Sequence, residues 1–169
     1  EVPADVAVVV DVLSFTTALT VAVDAGIEVF PHPSTGTSAK QAALRHGAVL
    51  AVGRFEALTR TDARHVSLSP ASLLRAEGIK RLVLPSPNGS TLAFGLAEQG
   101  SRVVGACLRN APAVAAHLAR TLAEHGSVTV LAAGERWPDD TLRPAWEDLW
   151  GAGAVLHALM EHVDTTEFS

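Results

Sequence analysis

The run Val6–Gly26, VAVVVDVLSFTTALTVAVDAG, decides the fold. Its first seven residues, Val6–Val12, form a nearly unbroken apolar and largely β-branched stretch, the pattern of a strand buried on both faces. Ser14-Phe15-Thr16-Thr17 then open a helix that runs to about Ala25 and stops at Gly26. A two-sided buried strand that feeds straight into a helix is the first half of an α/β unit, and the rest of the chain repeats it. Ile27–Phe30 reads as a strand closed by Pro31 and Pro33, Thr37–His46 as a helix stopped by Gly47, and Ala48–Val52 as a strand. Arg54–Leu68 is polar and without period and reads as a loop. Ser69-Pro70 starts a helix ending at Gly78. Lys80–Leu84 (strand), Thr91–Gln99 (helix), Arg102–Ala106 (strand), a helix from Asn110-Ala111-Pro112 to Gly126, and Ser127–Ala132 (strand) follow, with an apolar helix at Leu149–Met160. Strict alternation predicts a three-layer α/β/α sandwich on a mostly parallel, mixed sheet with right-handed crossovers.

Composition narrows the functional class. With 169 residues the chain reads as one domain, residues 1–169, and 48% hydrophobic residues supply a sizeable core. Because Glu1 is not a natural start, terminal segments of a longer protein are expected beyond it. A net charge of −5 without a basic run argues against nucleic acid. The single Cys107 excludes an internal disulfide framework and fits a reducing cytoplasm. Asp, Gly or Pro interrupts every apolar run well short of the roughly 18 residues that a membrane span needs. Homo-oligomerisation is left open.

Several strands end in a polar residue that leads at once into a helix: Asp11, Arg54, Asn88, Asn110 and the Glu135–Asp148 loop. In a parallel sheet these ends share one edge, where ligands sit. The last of them belongs to Leu131–Gly151, LAAGERWPDDTLRPAWEDLWG, which holds all three tryptophans and five acidic residues. Asp11, a carboxylate in an apolar strand, needs a partner: a metal or other cation, or the start of the following helix. Pro85–Ser90 sets Asn88, Gly89 and Ser90 at a helix start, where free N–H groups favour an anion, unless the turn is simply capped. Its spacing is not that of a Walker A loop. Asn110 reads as a helix cap with reach to a ligand. Arg54, Arg109, Arg136 and Arg143 are either anion clamps or solvated surface. Glu147 and Asp148 are suited to a hard cation such as Mg²⁺, although adjacent helical residues point about 100° apart. Cys107 reads as a small buried hydrophobe. The tryptophans either wall the site or fill the core. Together these features describe an α/β enzyme for a small anionic substrate, with Mg²⁺.

Four segments, VVVDVLSFTTALTVAVDAG, LPSPNGSTLAF, ACLRNAPAVA and the tryptophan-rich stretch with its WEDLWGAGAVL, occur in the order and spacing of the 2-phosphosulfolactate phosphatases, and the chain resembles that family over roughly residues 6–160. Ser14-Phe15 stand where the family commonly has an Arg-Ala pair, and Ser90 where it has Thr. The resemblance implies Mg²⁺-dependent hydrolysis of 2-phospho-3-sulfolactate, or a related phosphorylated hydroxy acid, to the hydroxy acid and phosphate, a step towards coenzyme M. On this reading Asp11, Glu147 and Asp148 bind the metal, and Asp11, Arg54 and Glu147 are catalytic. Asn88, Gly89, Ser90, Asn110 and Arg136 bind substrate. Two alternatives stand beside it. One is a non-catalytic small-anion-binding protein on the same fold. The other is a haloacid-dehalogenase-like phosphatase with Asp11 as nucleophile, although Leu13 occupies the position where that class has a second Asp.

Overall fold

The computed structural model describes residues 3–59 and 65–164. Along them run β1 (Val6–Val10), α1 (Phe15–Asp24), β2 (Glu28–His32), α2 (Thr37–His46), β3 (Val49–Val52), α3 (Arg54–Thr59), β4 (His65–Ser67) and α4 (Pro70–Leu73). Next come β5 (Arg81–Pro85), α5 (Gly89–Glu98), β6 (Arg102–Ala106), α6 (Ala111–Ala123) and β7 (Val128–Ala132). A short antiparallel hairpin, β8 (Glu135–Arg136) and β9 (Leu142–Arg143), precedes α7 (Trp146–Leu159).

The longer strands form two parallel sheets. In one, β1 lies between β6 and β7, with Val8 level with Val104 and Val130. In the other the order is β2-β5-β3-β4. Alternate β1 side chains split between the two faces. Val6, Val8 and Val10 pack on Val114 and Leu118 of α6 and on Val155 and Leu159 of α7. On the opposite face α1 comes so close that a Cβ at Gly105 of β6 would sit 2.7 Å from Leu19. The same helix presents Phe15, Ala18, Val21 and Ala22 to Leu82, Leu84, Ala51 and Val66 of the second sheet. The far face of that sheet, Leu50, Val52 and Val83, is covered by Ala39, Ala42 and Ala43 of α2. Each sheet is thus enclosed by helices in the α/β/α manner read from the sequence, and α1 is the layer they share.

Most elements fall where alternation and glycine stops put them. Gly47, in the left-handed conformation at φ 59°, ends α2 as expected. Four local readings differ. The helix that starts at Ser69-Pro70 ends at Leu73, well before Gly78. Pro31 lies inside β2 instead of closing it, because β2 is an edge strand and its missing N–H breaks no ladder bond. The stretch read as a loop after β3 holds α3 and β4, the latter paired with β3 through Val66 and Ala51; residues 60–64 lie outside the described part. Finally, α7 begins at Trp146, three residues before the expected start, and the segment ahead of it is a hairpin.

Gly151 lets α7 lie against β1: a Cβ there would stand 2.7 Å from both Val10 Cγ1 and Val12 Cγ2. Gly95 of α5 has open space at the same point. Gly95→Ala is therefore expected to stabilise the protein by about 0.5–1 kcal/mol through helix propensity. Gly151→Ala should lose about 1–3 kcal/mol to overpacking against stiff valines, and so come out net destabilised. Urea unfolding of both variants checks the opposite signs.

Candidate active site

β1 stops at Val10, and the next residue, Asp11, is 7% exposed. Its Oδ2 accepts hydrogen bonds from the Ser86 hydroxyl and the Gly89 N–H, each at 3.0 Å, and its Oδ1 accepts one from the Phe15 N–H at 3.3 Å. Phe15 and Gly89 are the first residues of α1 and α5. One carboxylate therefore caps two helices, and the positive ends of both helix dipoles meet on it. Thr16 fixes the Asp11 backbone, its hydroxyl donating to the Asp11 carbonyl at 2.6 Å and accepting from the Asp11 N–H at 3.1 Å. Gly89 is required by this closeness, since a Cβ would fall 2.6 Å from Asp11 Oδ2 and 2.5 Å from the Phe15 ring.

Asp148, in the first turn of α7 and 3% exposed, makes a second clamp. Its Oδ1 accepts from the Val12 N–H at 2.7 Å and its Oδ2 from the Gly134 N–H at 2.9 Å. The helix start is thereby fastened to the ends of both β1 and β7. A third link closes the rim, the Asn88 amide donating to Glu135 Oε2 at 2.9 Å.

Burial pushes the Asp11 carboxyl above its usual range against the bonds from Ser86, Phe15 and Gly89, and Glu135 adds to the rise. Burial likewise pushes Asp148 up to about 6, with Asp11 and Glu147 acting in the same direction and the Val12 and Gly134 N–H groups opposing. Negative charge is thus concentrated where three helices begin.

These contacts revise the roles assigned from sequence. Asp11, Glu147 and Asp148 do not make a three-carboxylate metal centre. Among the described residues no three His, Cys, Asp or Glu side chains are grouped to hold an ion, and Asp11 and Asp148 direct their oxygens at N–H and O–H donors. Asn110 does not reach towards a ligand: its Oδ1 accepts from the Cys107 N–H at 2.8 Å and its Nδ2 donates to the Gly105 carbonyl at 3.0 Å, closing the turn after β6. Arg136 is exposed and donates to the Asp140 carbonyl of its own hairpin at 2.8 Å. Arg109 pairs with Asp24 at 2.7 Å on the surface. Arg143 stacks over Trp137 at 5.6 Å. Arg54 opens α3 at the end of β3, and its side chain lies outside the described residues. Cys107 is buried in the core, as read. Trp137, Trp146 and Trp150 are all more than half exposed and are not part of the core.

Ser86 and Glu135 were not singled out by the sequence. Ser86 carried a signal, a hydroxyl between two prolines in a tight turn, and Glu135 lay in the acidic stretch. What could not be read was that both face Asp11 and Asn88. Ser90 is fully buried, and its hydroxyl has no partner among the described residues. A concavity of about 1450 Å³ lies elsewhere, lined by Lys80 and Arg81 at the start of β5, Val49 and Leu50 of β3, and His65, Val66 and Ser67 of β4. Asp11, Ser86 and Asn88 are not among its lining residues.

Compared with known proteins, the chain matches, over residues 1–169, the model of the family described as 2-phosphosulpholactate phosphatase. No curated protein matches it. Among the described residues no helix is long and apolar enough to cross a membrane.

Asp148 generates a pH prediction for the protein free of divalent cations. Its folded pKa, about 6, lies above the ordinary 3.8, so the folded state holds the extra proton between those values. That contribution to stability is full below pH 3.8 and is lost as pH rises through about 6. Asp148→Asn turns an amide N–H₂ towards one of the two backbone donors and should cost about 1–3 kcal/mol. The gap between wild type and variant should narrow from pH 4 to pH 7 in urea melts, and a gap that widens with pH would refute the raised pKa.

Proposed function

Because the chain belongs to the 2-phosphosulpholactate phosphatase family, we propose that it hydrolyses 2-phospho-3-sulfolactate, or a closely related phosphorylated hydroxy acid, to the hydroxy acid and phosphate. The observation that carries this reading is the meeting of the α1 and α5 starts at Asp11. A substrate with a phosphate and a sulfonate needs N–H donors at a helix start; Phe15 and Gly89 give theirs to Asp11, so we assign the anion to the rest of the first turn of α5. Asn88, Gly89 and Ser90 are the residues we assign to the anion, with the Ser90 hydroxyl still to be partnered. Asp11 acts here by holding the two helix starts together. Arg54 and Arg136 are assigned to offset the charge that grows on the transferred phosphoryl group. Arg136 has to leave Asp140 to do so. Glu147, half-buried in the first turn of α7, is assigned to orient the attacking water.

Mg²⁺ dependence is part of the proposal. The described side chains do not fit a dedicated protein cage, whereas Mg²⁺ commonly binds through substrate phosphate, retained water and one or two carboxylates. No step above depends on the ion.

One observation favours a second reading. Asp11, Asn110 and Asp148 are all engaged by their own backbone, as they would be in an anion-binding protein without turnover.

Phosphate release from a panel of phosphorylated hydroxy acids, with and without Mg²⁺, separates the two. Turnover of the sulfonated substrate that needs Mg²⁺ is expected. Asn88→Ala should lower kcat/KM about tenfold or more while the circular dichroism spectrum is kept, a change of roughly 1.4 kcal/mol. Thermal stabilisation by these esters without any release would establish the binding protein instead.

A further inference from the structure

α7 is apolar on both sides. Its inner face, Ala152, Val155 and Leu159, packs on the first sheet. Its outer face exposes Trp146 (70%), Leu149 (47%), Trp150 (67%), Leu156 (37%) and Met160 (51%), the last just beyond the helix end. These positions, with Gly153 and His157, recur at intervals of three and four and make one continuous stripe. The neighbouring α6 turns small or polar residues outward instead, Pro112, Ala113, Arg120 and Ala123. With tryptophan areas of roughly 200–250 Å² and smaller ones for leucine and methionine, the stripe presents on the order of 600 Å² of apolar surface. That is the upper end of what a monomer's largest patch reaches, and most of the ~800 Å² that each partner gives to a standard interface.

The stripe is also symmetric about Gly153. Trp146 and Met160 lie equally far on either side of it, as do Leu149 and His157, and Trp150 and Leu156. Gly153 is exposed, and a Cβ there would meet nothing within 4 Å, so the backbone is open at the centre. Laid antiparallel on itself about a two-fold axis at Gly153, the helix sets Trp146 against the partner's Met160 and Trp150 against the partner's Leu156. The acidic first turn, with Glu147, then approaches the end of the partner helix that carries the partner's His157 and the partner's His162. A two-fold interface requires one patch to match itself, and this one does.

We propose that the chain forms a two-fold homodimer through α7, with the helices antiparallel and crossing at Gly153. Three measurements on the full chain test it. Sedimentation at micromolar concentration should give twice the 17.6 kDa chain mass. Trp150→Glu should give the monomer with an unchanged circular dichroism spectrum, since the side chain is exposed and not part of the core. Gly153→Cys should form an intermolecular disulfide on mild oxidation, because residue 153 faces its own copy near the axis, while the native Cys107, at 1% exposure, does not react. A monomeric wild type overturns the proposal and leaves the stripe to a different partner. A dimer that survives Trp150→Glu, or one in which Gly153→Cys does not cross-link, overturns this surface.

Discussion

The carboxylate of Asp11 is the constraint on which the rest of the molecule turns. It leaves the first sheet at the end of β1, yet two of its hydrogen-bond donors, Ser86 and Gly89, follow β5 of the second sheet. Its third donor, Phe15, begins the helix that lies between the sheets. One side chain thus pins two sheets and their shared helix layer at a single point. Burying a charge costs several kcal/mol after relaxation. Here the charge faces two helix starts and a hydroxyl, which is the arrangement that offsets such a cost. Removing it would leave those donors unpaired in the interior, at about 1–3 kcal/mol each.

Asp148 repeats the device at the other side of β1. Both carboxylates satisfy backbone N–H groups that ladder and helix geometry leave over, at the end of a strand and at the turn after one. Asp11 and Glu147 work against the ionised form of Asp148, and Glu135 works against that of Asp11. The same edge therefore holds helix starts that attract anions and carboxylates that repel them. An anion is favoured only where N–H groups, not carboxylates, face it, and the first turn of α5 also holds the buried Ser90 hydroxyl, without a partner among the described residues.

What the sequence disclosed follows from which interactions are local. β1 and α1 were legible because an apolar run, of which the five residues Val6–Val10 form the strand, and a glycine stop are written close together in the sequence. Helix starts at Ser14, Asn88 and Asn110 were legible as positions, but none of these side chains caps its helix. Ser14 donates to the Leu68 carbonyl, Asn88 to Glu135, and Asn110 closes its own turn. The caps of α1 and α5 come from Asp11, which is four residues from one and 78 from the other. Trp146 and Trp150 were open to a core reading because apolar residues lie on both sides of α7, and composition cannot tell which side meets a sheet. The parallel sheet was legible, but not its division into two, which depends on strand order.

The pairing of long-range contacts at Asp11 and Asp148 ties the site to the completed fold. Ser86 and Asp11 are 75 residues apart, and Val12 and Asp148 are 136 apart. The first needs the second sheet docked beside β1 and the second needs α7 docked on it, and each must bear the entropy of closing a long loop. The helix starts therefore converge only in the native state, and a partly docked chain presents α5 or α1 alone, with a single dipole and no facing partner. Global stability and the geometry of these helix starts are in this way consequences of the same two carboxylates. A substitution that loosens either clamp therefore moves helix starts that lie far from it in the sequence.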